Sequence, residues 1–331
     1  NMVARRAGRA GERIPLPTAE WSQEGPFNSA IPGRPLVGCV GTAMSIIMKY
    51  HQYPERGTGS YNGVNYDVAY DWDNMRTDNY RSGYTPEEAE AVATLMYHAA
   101  SSIGTQFGMS GSSAYEVKVP AALTNYFGYD PGVSYKKRSD VSTQAAFDAI
   151  VIEEIKNNRP VLYCGQDVTV GHAFVVDGYD PVTGMLHINW GWGGSSNGYF
   201  LLTALDPANL GIGGGAGGFN TNQGAAINLR PDFTDSKPEY SISADNGYTM
   251  SLSGNTLTLS GGFWNYCGQT IPTVYYGLLI ENETGYVGAR TYTSFSNLGQ
   301  YYGLRSYSVT LQSGMADGTY IPVSYTHLTL P

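Results

Sequence analysis

Charge is scarce in this chain. Lys and Arg number 19 and Asp and Glu 28 among 331 residues, so charged side chains make up 14%, against roughly a quarter in an ordinary soluble domain. The net charge of −9, with no lysine-rich face, argues against nucleic acid as a partner. No apolar run approaches the 18 or so residues of a membrane span, and no signal-peptide core is visible at the start. Three cysteines, Cys39, Cys164 and Cys267, are too few for a disulfide framework, and no C-x-x-C pair offers zinc or redox chemistry. The five histidines (His51, His98, His172, His187, His327) lack metal-ligand spacing, so neither a metal nor another cofactor is expected.

Glycine (42) and tyrosine (27) are abundant instead. Such a chain is polar through hydroxyls, amides and backbone, which suits short strands and turns. A hydrophobic content of 42% is ample for a core, and the length suggests two domains at roughly 150 residues each.

Residues 1–16 hold four arginines, Arg5, Arg6, Arg9 and Arg13, and read as an exposed tether or pro-segment remnant open to a trypsin-like cut. Residues 17–231 mix helical and strand signals. Val40, Ala43, Met44 and Ile47 follow helical spacing, which predicts a buried helix from Cys39 to about His51, ended by Pro54. A second helix opens at Pro86 behind a Thr85 N-cap, and a third runs over 142–157. After Asn158 come short apolar strands, with Asp177-Gly178 and Thr183-Gly184 as turn signals. Helices followed by strands predict an α+β unit. Residues 232–238 form a Pro-bounded linker, and 239–331 show the alternation of an all-β sandwich with immunoglobulin-like spacing, a partial one. Asn282-Glu283-Thr284 matches the glycosylation triplet at chance level, and the tail carrying His327 is given no role.

Cys39 stands in Gly38-Cys39-Val40-Gly41, at the predicted start of a buried helix. Unpaired N–H groups and the helix dipole there favour a thiolate, and the Cys39 N–H is placed to donate to an oxyanion. A lone Cys is most often a small buried hydrophobe. Here Gly38 and Gly41 suggest instead that a substrate carbonyl approaches the sulfur. His172 opens an apolar run, Ala173-Phe174-Val175-Val176, where a titratable ring needs a partner or a task. Folding 177–185 as a hairpin sets His172 opposite Asn189 or Trp190, an amide to fix its tautomer or an indole to shield it. The Gly211–Gly218 run lacks the ending of a phosphate loop and reads as a flap.

The segments 38–54, Gly171-His-Ala-Phe-Val-Val-Asp-Gly178, Asn189-Trp-Gly-Trp-Gly-Gly194 and 210–220 together resemble the streptopain family of secreted bacterial cysteine peptidases. Trp21-Ser-Gln-Glu-Gly-Pro-Phe-Asn28 is similar to that family's mature N-terminal motif. The resemblance implies a papain-like two-lobed fold, with Cys39 as nucleophile and His172 as general base. It also implies that Gly171 makes a backbone contact to substrate and that Ser113 stands beside the cleft. Trp190 matches the tryptophan that packs on the histidine, Trp192 its companion, and Gln23 the oxyanion side chain. One departure is clear: Cys164 stands where streptopain has a glutamine.

The expected function is therefore a secreted or cell-surface cysteine endopeptidase acting on proteins or peptides. The resemblance further implies a preference for a hydrophobic residue upstream of the bond, and synthesis as a zymogen with a pro-segment inhibitor. Two rivals stand beside it. An acyl transferase on the same scaffold would pass the acyl group to an amine, and a non-catalytic glycan- or protein-binding surface protein would leave Cys39 unlabelled by alkylators. The partner of the C-terminal module is not legible.

Overall fold

Helical spacing after Cys39 is realised as α1 (Cys39–His51), in which every residue from Val40 to Lys49 is buried. The computed structural model describes residues 11–207, 218–232, 240–244, 249–282, 287–310 and 320–324. Helix α2 (Pro86–Ser102) begins as the sequence predicts. Thr85 Oγ1 accepts the Glu88 N–H at 3.2 Å, and the Glu88 carboxylate accepts the Thr85 N–H at 2.9 Å. Helix α3 (Val119–Phe127) follows, then α4 (Gln144–Lys156), capped by Thr143.

The strands of the first unit are β1 (Ile14–Pro15), β2 (Ser60–Tyr61), β3 (Val64–Asn65), β4 (Ser134–Lys137), β5 (Val161–Gln166), β6 (Gly171–Asp180), β7 (Met185–Asn189), β8 (Gly198–Phe200) and β9 (Thr221–Ile227). Strands β2 and β3 form a small hairpin. The rest make a seven-stranded antiparallel sheet in the order β4-β9-β5-β6-β7-β8, with β1 against β6. Side chains alternate between two cores, as strand geometry requires. Leu162, Cys164, Ala173 and Val175 join the core of α1 and α2, whereas Val161, Tyr163, Phe174 and Val176 pack with Phe147, Val151 and Ile155 of α4. The architecture is α+β, with a helical lobe and a sheet lobe meeting along α1, β5 and β6.

Two local expectations are corrected. Residues 11–16 are not a loose tether: Ile14 and Pro15 pair with Tyr179 and Gly178, and Arg13 bonds Asp180 at 2.8 Å. Asp177-Gly178 is not a turn but a bulge inside β6, which runs on to Asp180. The Asp177 carboxylate is taken up by Thr18 and His187, which holds the strand extended there.

Beyond residue 232 lie β10 (Ile242–Ala244), β11 (Thr249–Ser253), β12 (Thr256–Asn265), β13 (Ile271–Asn282), β14 (Val287–Leu298), β15 (Gly303–Thr310) and β16 (Tyr320–Ser324). They form a four-stranded sheet (β10, β11, β12, β15) and a three-stranded one (β13, β14, β16). Ile271, Val274 and Leu298 pack with Ile242 and Phe263 between them. Strands β11 and β12 form a hairpin that turns at Gly254-Asn255. Most of the linker, residues 233–238, falls outside the described residues, as do Glu283 and Thr284 of the glycosylation triplet and the tail. This module is docked on the first unit: Tyr135 N–H donates to Tyr266 O at 3.0 Å, Gly268 N–H to Val133 O at 2.7 Å, and Ser243 Oγ to Asp140 at 2.8 Å.

Candidate active site

Cys39 is the first residue of α1, behind Gly38 at φ 92°, a conformation that favours glycine. A Cβ at Gly38 would lie 3.2 Å from Ser112 Cβ. Ser112 in turn donates to Leu36 O at 2.6 Å and accepts the Gly108 N–H at 3.0 Å, tying the 107–114 loop to the approach to Cys39. Gly41 has a different use from the one expected. A Cβ there would meet Ala100 Cβ at 2.7 Å, so it serves the contact of α1 with α2, not access to the sulfur.

The Ala173 N–H hydrogen-bonds the Cys39 thiol, so the sheet lobe meets the sulfur one residue past His172. Burial raises the thiol above its ordinary value, while the N–H groups of Ala173, Val40 and Cys39 pull it down. The lowering expected from the helix N-terminus is therefore present but outweighed. Burial also holds the His172 imidazole down to about 4, opposed by its bond to Trp190. Each group alone favours its neutral form. Transfer of the thiol proton to the imidazole makes two opposite charges at once, so their attraction offsets part of the desolvation that each would meet singly.

His172 Nε2 lies 2.9 Å from the carbonyl oxygen of Trp190. A carbonyl only accepts, so Nε2 carries the proton and Nδ1 is the nitrogen left for the thiol. Trp192 stacks on the imidazole at 4.8 Å and 25°, Phe219 lies at 5.3 Å, and Trp190 is farther at 6.3 Å. Both tryptophans are thus stacked with the imidazole, Trp192 the nearer, and Trp190, fully buried, also supplies its main-chain acceptor.

Asn189 does not face His172. With the bulge at Asp177, Asn189 pairs with Val175 and His172 with Gly165. The Asn189 amide donates to Thr18 Oγ1 and Ala19 O, both at 2.9 Å, and its oxygen accepts the Gly191 N–H at 3.1 Å. Gln23 is half-buried, and its carbonyl accepts the Val37 N–H at 3.1 Å, two residues before Cys39. Ser113 is exposed and exchanges backbone bonds with Gln106, while Gly171 pairs with Gln166. His172, Trp190 and Trp192 thus come together directly, Cys39 meets this strand at Ala173, Asn189 joins through a peptide group, and Gln23 lies beside Val37.

Phe219 and Ala173 were not singled out in the sequence. Phe219 ends the glycine-rich segment, where its aromatic character was the signal, and its carbonyl leaves only 2.2 Å to a Cβ at Gly165. The predicted flap, Gly211–Gly218, lies outside the described residues apart from Gly218. Among the described residues no three His, Cys, Asp or Glu side chains gather as a metal ion would need, and no helix is long and apolar enough to cross a membrane.

Comparison with known proteins places this geometry. A sequence model of the peptidase C10 family matches residues 21–200. The chain is 36% identical over 266 residues to the thiol protease/hemagglutinin PrtT of Porphyromonas gingivalis, covering 74% of this chain and 30% of that protein. It is 39% identical over 211 residues to streptopain of Streptococcus pyogenes, covering 59% of this chain and 52% of streptopain. It therefore spans about half the length of these curated relatives, or less. Active interpain A, a cysteine protease of Prevotella intermedia, superposes with a TM-score of 0.59 and 32% identity, over 66% of this chain and 95% of interpain A. A prointerpain A fragment superposes at 0.55 with the same identity, over 66% of this chain and 73% of that one. With matched segments that contain both Cys39 and His172, the chain belongs to the peptidase C10 family.

Proposed function

We propose that this chain is a secreted cysteine endopeptidase that hydrolyses peptide bonds in extracellular proteins. One observation carries the reading: the Cys39 thiol, at a helix N-terminus, is bonded by the N–H of Ala173, whose neighbour along the chain is His172, with its Nε2 fixed by the Trp190 carbonyl. The thiol proton passes to His172 Nδ1, and the thiolate attacks the scissile carbonyl. The tetrahedral oxyanion is met by the Cys39 N–H and the Gln23 side-chain amide. His172 returns the proton to the leaving amine, the acyl-enzyme forms, and His172 then takes a proton from the attacking water. Asn189 keeps the Trp190–Gly191 peptide in place, Trp192 shields the ring, and Gly171 offers its backbone to the substrate beside Ser113.

The preference for an apolar residue upstream of the bond is supported by the exposed side chains on the two flanking loops: Met109 and Tyr115 on one, Val168 and Val170 on the other. Synthesis as a zymogen is supported by the prointerpain likeness. The C-terminal sheets are read as an immunoglobulin-like module. The test is Cys39→Ala, which should abolish hydrolysis of a denatured protein substrate while thermal unfolding stays cooperative. Retained hydrolysis in that variant would overturn the reading.

A further inference from the structure

Cys164 has unusual neighbours. Its Sγ lies 3.0 Å from the Tyr135 hydroxyl and 3.3 Å from a carboxylate oxygen of Glu116, and Tyr135 donates to that same oxygen at 3.3 Å. Tyr135 reaches this place only because residue 224 is glycine: a Cβ there would lie 1.9 Å from the hydroxyl. Glu116 thus receives two neutral donors, and among the described residues no Lys, Arg or His forms an ion pair with it.

Glu116 borders a cavity of about 370 Å³, together with Val117, Tyr135, Asn220 and Asn222. Lys137 and Arg138 also line it, but Lys137 sits over the Tyr266 ring at 5.2 Å, and Arg138 donates to Gln144 and to Val141 O. Three connections join the cavity to the reaction centre. Cys164 is the cross-strand partner of Ala173, whose N–H holds the Cys39 thiol. Asn222 donates to Gln166, the strand partner of Gly171. Phe219, beside Asn220, packs on His172. The Glu116 charge is itself felt at Cys39, where it raises the thiol.

We propose that Glu116 makes this cavity a specificity pocket for a Lys or Arg side chain on the amino side of the scissile bond. This rests on the peptidase reading and assigns the cationic preference to a different upstream position from the apolar one. A long cationic side chain lays its methylene stem along Val117 and the Tyr135 ring, and its head completes a carboxylate otherwise met by neutral donors alone. A short or acidic side chain does neither.

The test is a peptide series with Lys, Arg, norleucine or Glu at the upstream positions, assayed with Cys39 active-site titration on the wild type, Glu116→Gln and Glu116→Lys. Norleucine matches the lysine stem without its charge, so the Lys-to-norleucine ratio of kcat/KM isolates the head group. That ratio is expected to exceed ten at one upstream position in the wild type, to fall at least tenfold in Glu116→Gln, and to give way to a Glu preference in Glu116→Lys. A change in overall rate that leaves the ratio unmoved, or a wild-type ratio near one, overturns the proposal. If wild-type enzyme with an alkylatable Cys39 cleaves none of these peptides and no protein, the peptidase reading fails first.

Discussion

The oxygen of the Asn189 side chain accepts the Gly191 N–H at 3.1 Å. That N–H and the Trp190 carbonyl belong to one peptide unit, so Asn189 orients the acceptor of His172 at one remove. An amide placed to touch the imidazole directly would fix its tautomer by its own oxygen. Here the peptide plane does so, and the Asn189 side chain fixes the plane. Asn197 reinforces this by accepting the Trp190 N–H at 3.0 Å.

Replacing Asn189 should therefore lower kcat without a matching change in KM. Asn189→Ala leaves Thr18 Oγ1, Ala19 O and the Gly191 N–H short of partners in a buried place, at about 1–3 kcal/mol each. Asn189→Asp keeps the acceptor for Gly191 while losing the two donated bonds, so it should retain more of kcat than Ala although both melt earlier. Steady-state kinetics on one peptide, with melting curves, check this. Equal kcat for the wild type and Asn189→Ala would refute the positioning role.

Much of this was legible in the sequence, for local reasons. The apolar spacing after Cys39 and the Thr85…Glu88 pair depend on neighbours within one turn, and α1 and α2 begin where those residues put them. Of the two partners expected for His172, Trp190 supplies the acceptor through its carbonyl, and Asn189 was misplaced because register is set by the whole hairpin. Asp177-Gly178 carries the composition of a turn, yet Thr18 and His187 hold Asp177 within the strand as a bulge. That changes which residue of β7 each β6 residue faces. Gly41 was misread for a related reason: whether a glycine opens a path or admits a neighbouring helix is decided by Ala100, far away in the chain.

Thiol reactivity should separate the three cysteines. Cys164 and Cys267 are buried and raised by that burial, so native protein should take one iodoacetamide adduct, at Cys39, and unfolded protein three. His172→Ala removes the proton acceptor and leaves Cys39 with a burial-raised thiol. Its alkylation at pH 7 should slow at least about tenfold relative to the wild type and recover as pH rises beyond the ordinary thiol range near 8.5. Mass spectrometry over pH 5–10 reads both outcomes. Unchanged alkylation at pH 7 in His172→Ala would refute the pairing.

Acid should destabilise the chain through two histidines away from the cleft. Burial lowers His51 and His98 to about 4; His51 Nε2 has no partner among the described residues, and His98 Nδ1 lies 2.9 Å from the Tyr70 hydroxyl. The unfolded chain takes up these protons first, near 6.5, as pH falls. Their contribution is thus intact above that value and is lost on the way down to about 4, at up to about 1.4 kcal/mol per pH unit for each histidine. Urea unfolding at pH 7, 5.5 and 4.5 measures the slope. His51→Gln and His98→Gln together should flatten it, and an undiminished slope in the double variant would assign the acid sensitivity elsewhere.

Gly41→Ala sets two effects of opposite sign against each other. Ala is favoured over Gly inside a helix by about 1 kcal/mol. Against that, the new Cβ would lie 2.7 Å from Ala100 Cβ and 2.9 Å from Ala100 Cα, and a backbone atom of a packed helix does not yield as a side-chain tip would. Overpacking of this kind costs about 1–3 kcal/mol, so the variant should melt at a lower temperature than the wild type despite its better helix propensity. Because Gly41 is two residues from Cys39, parting α1 from α2 also shifts the thiol relative to Ala173 and His172, and kcat should fall with it. Adding Ala100→Gly removes the 2.7 Å contact but leaves the 2.9 Å approach to the Cα, so the double variant should regain only part of the lost activity and stability. If Gly41→Ala alone raises the melting temperature, the closeness of α1 and α2 at this point is not what makes residue 41 glycine.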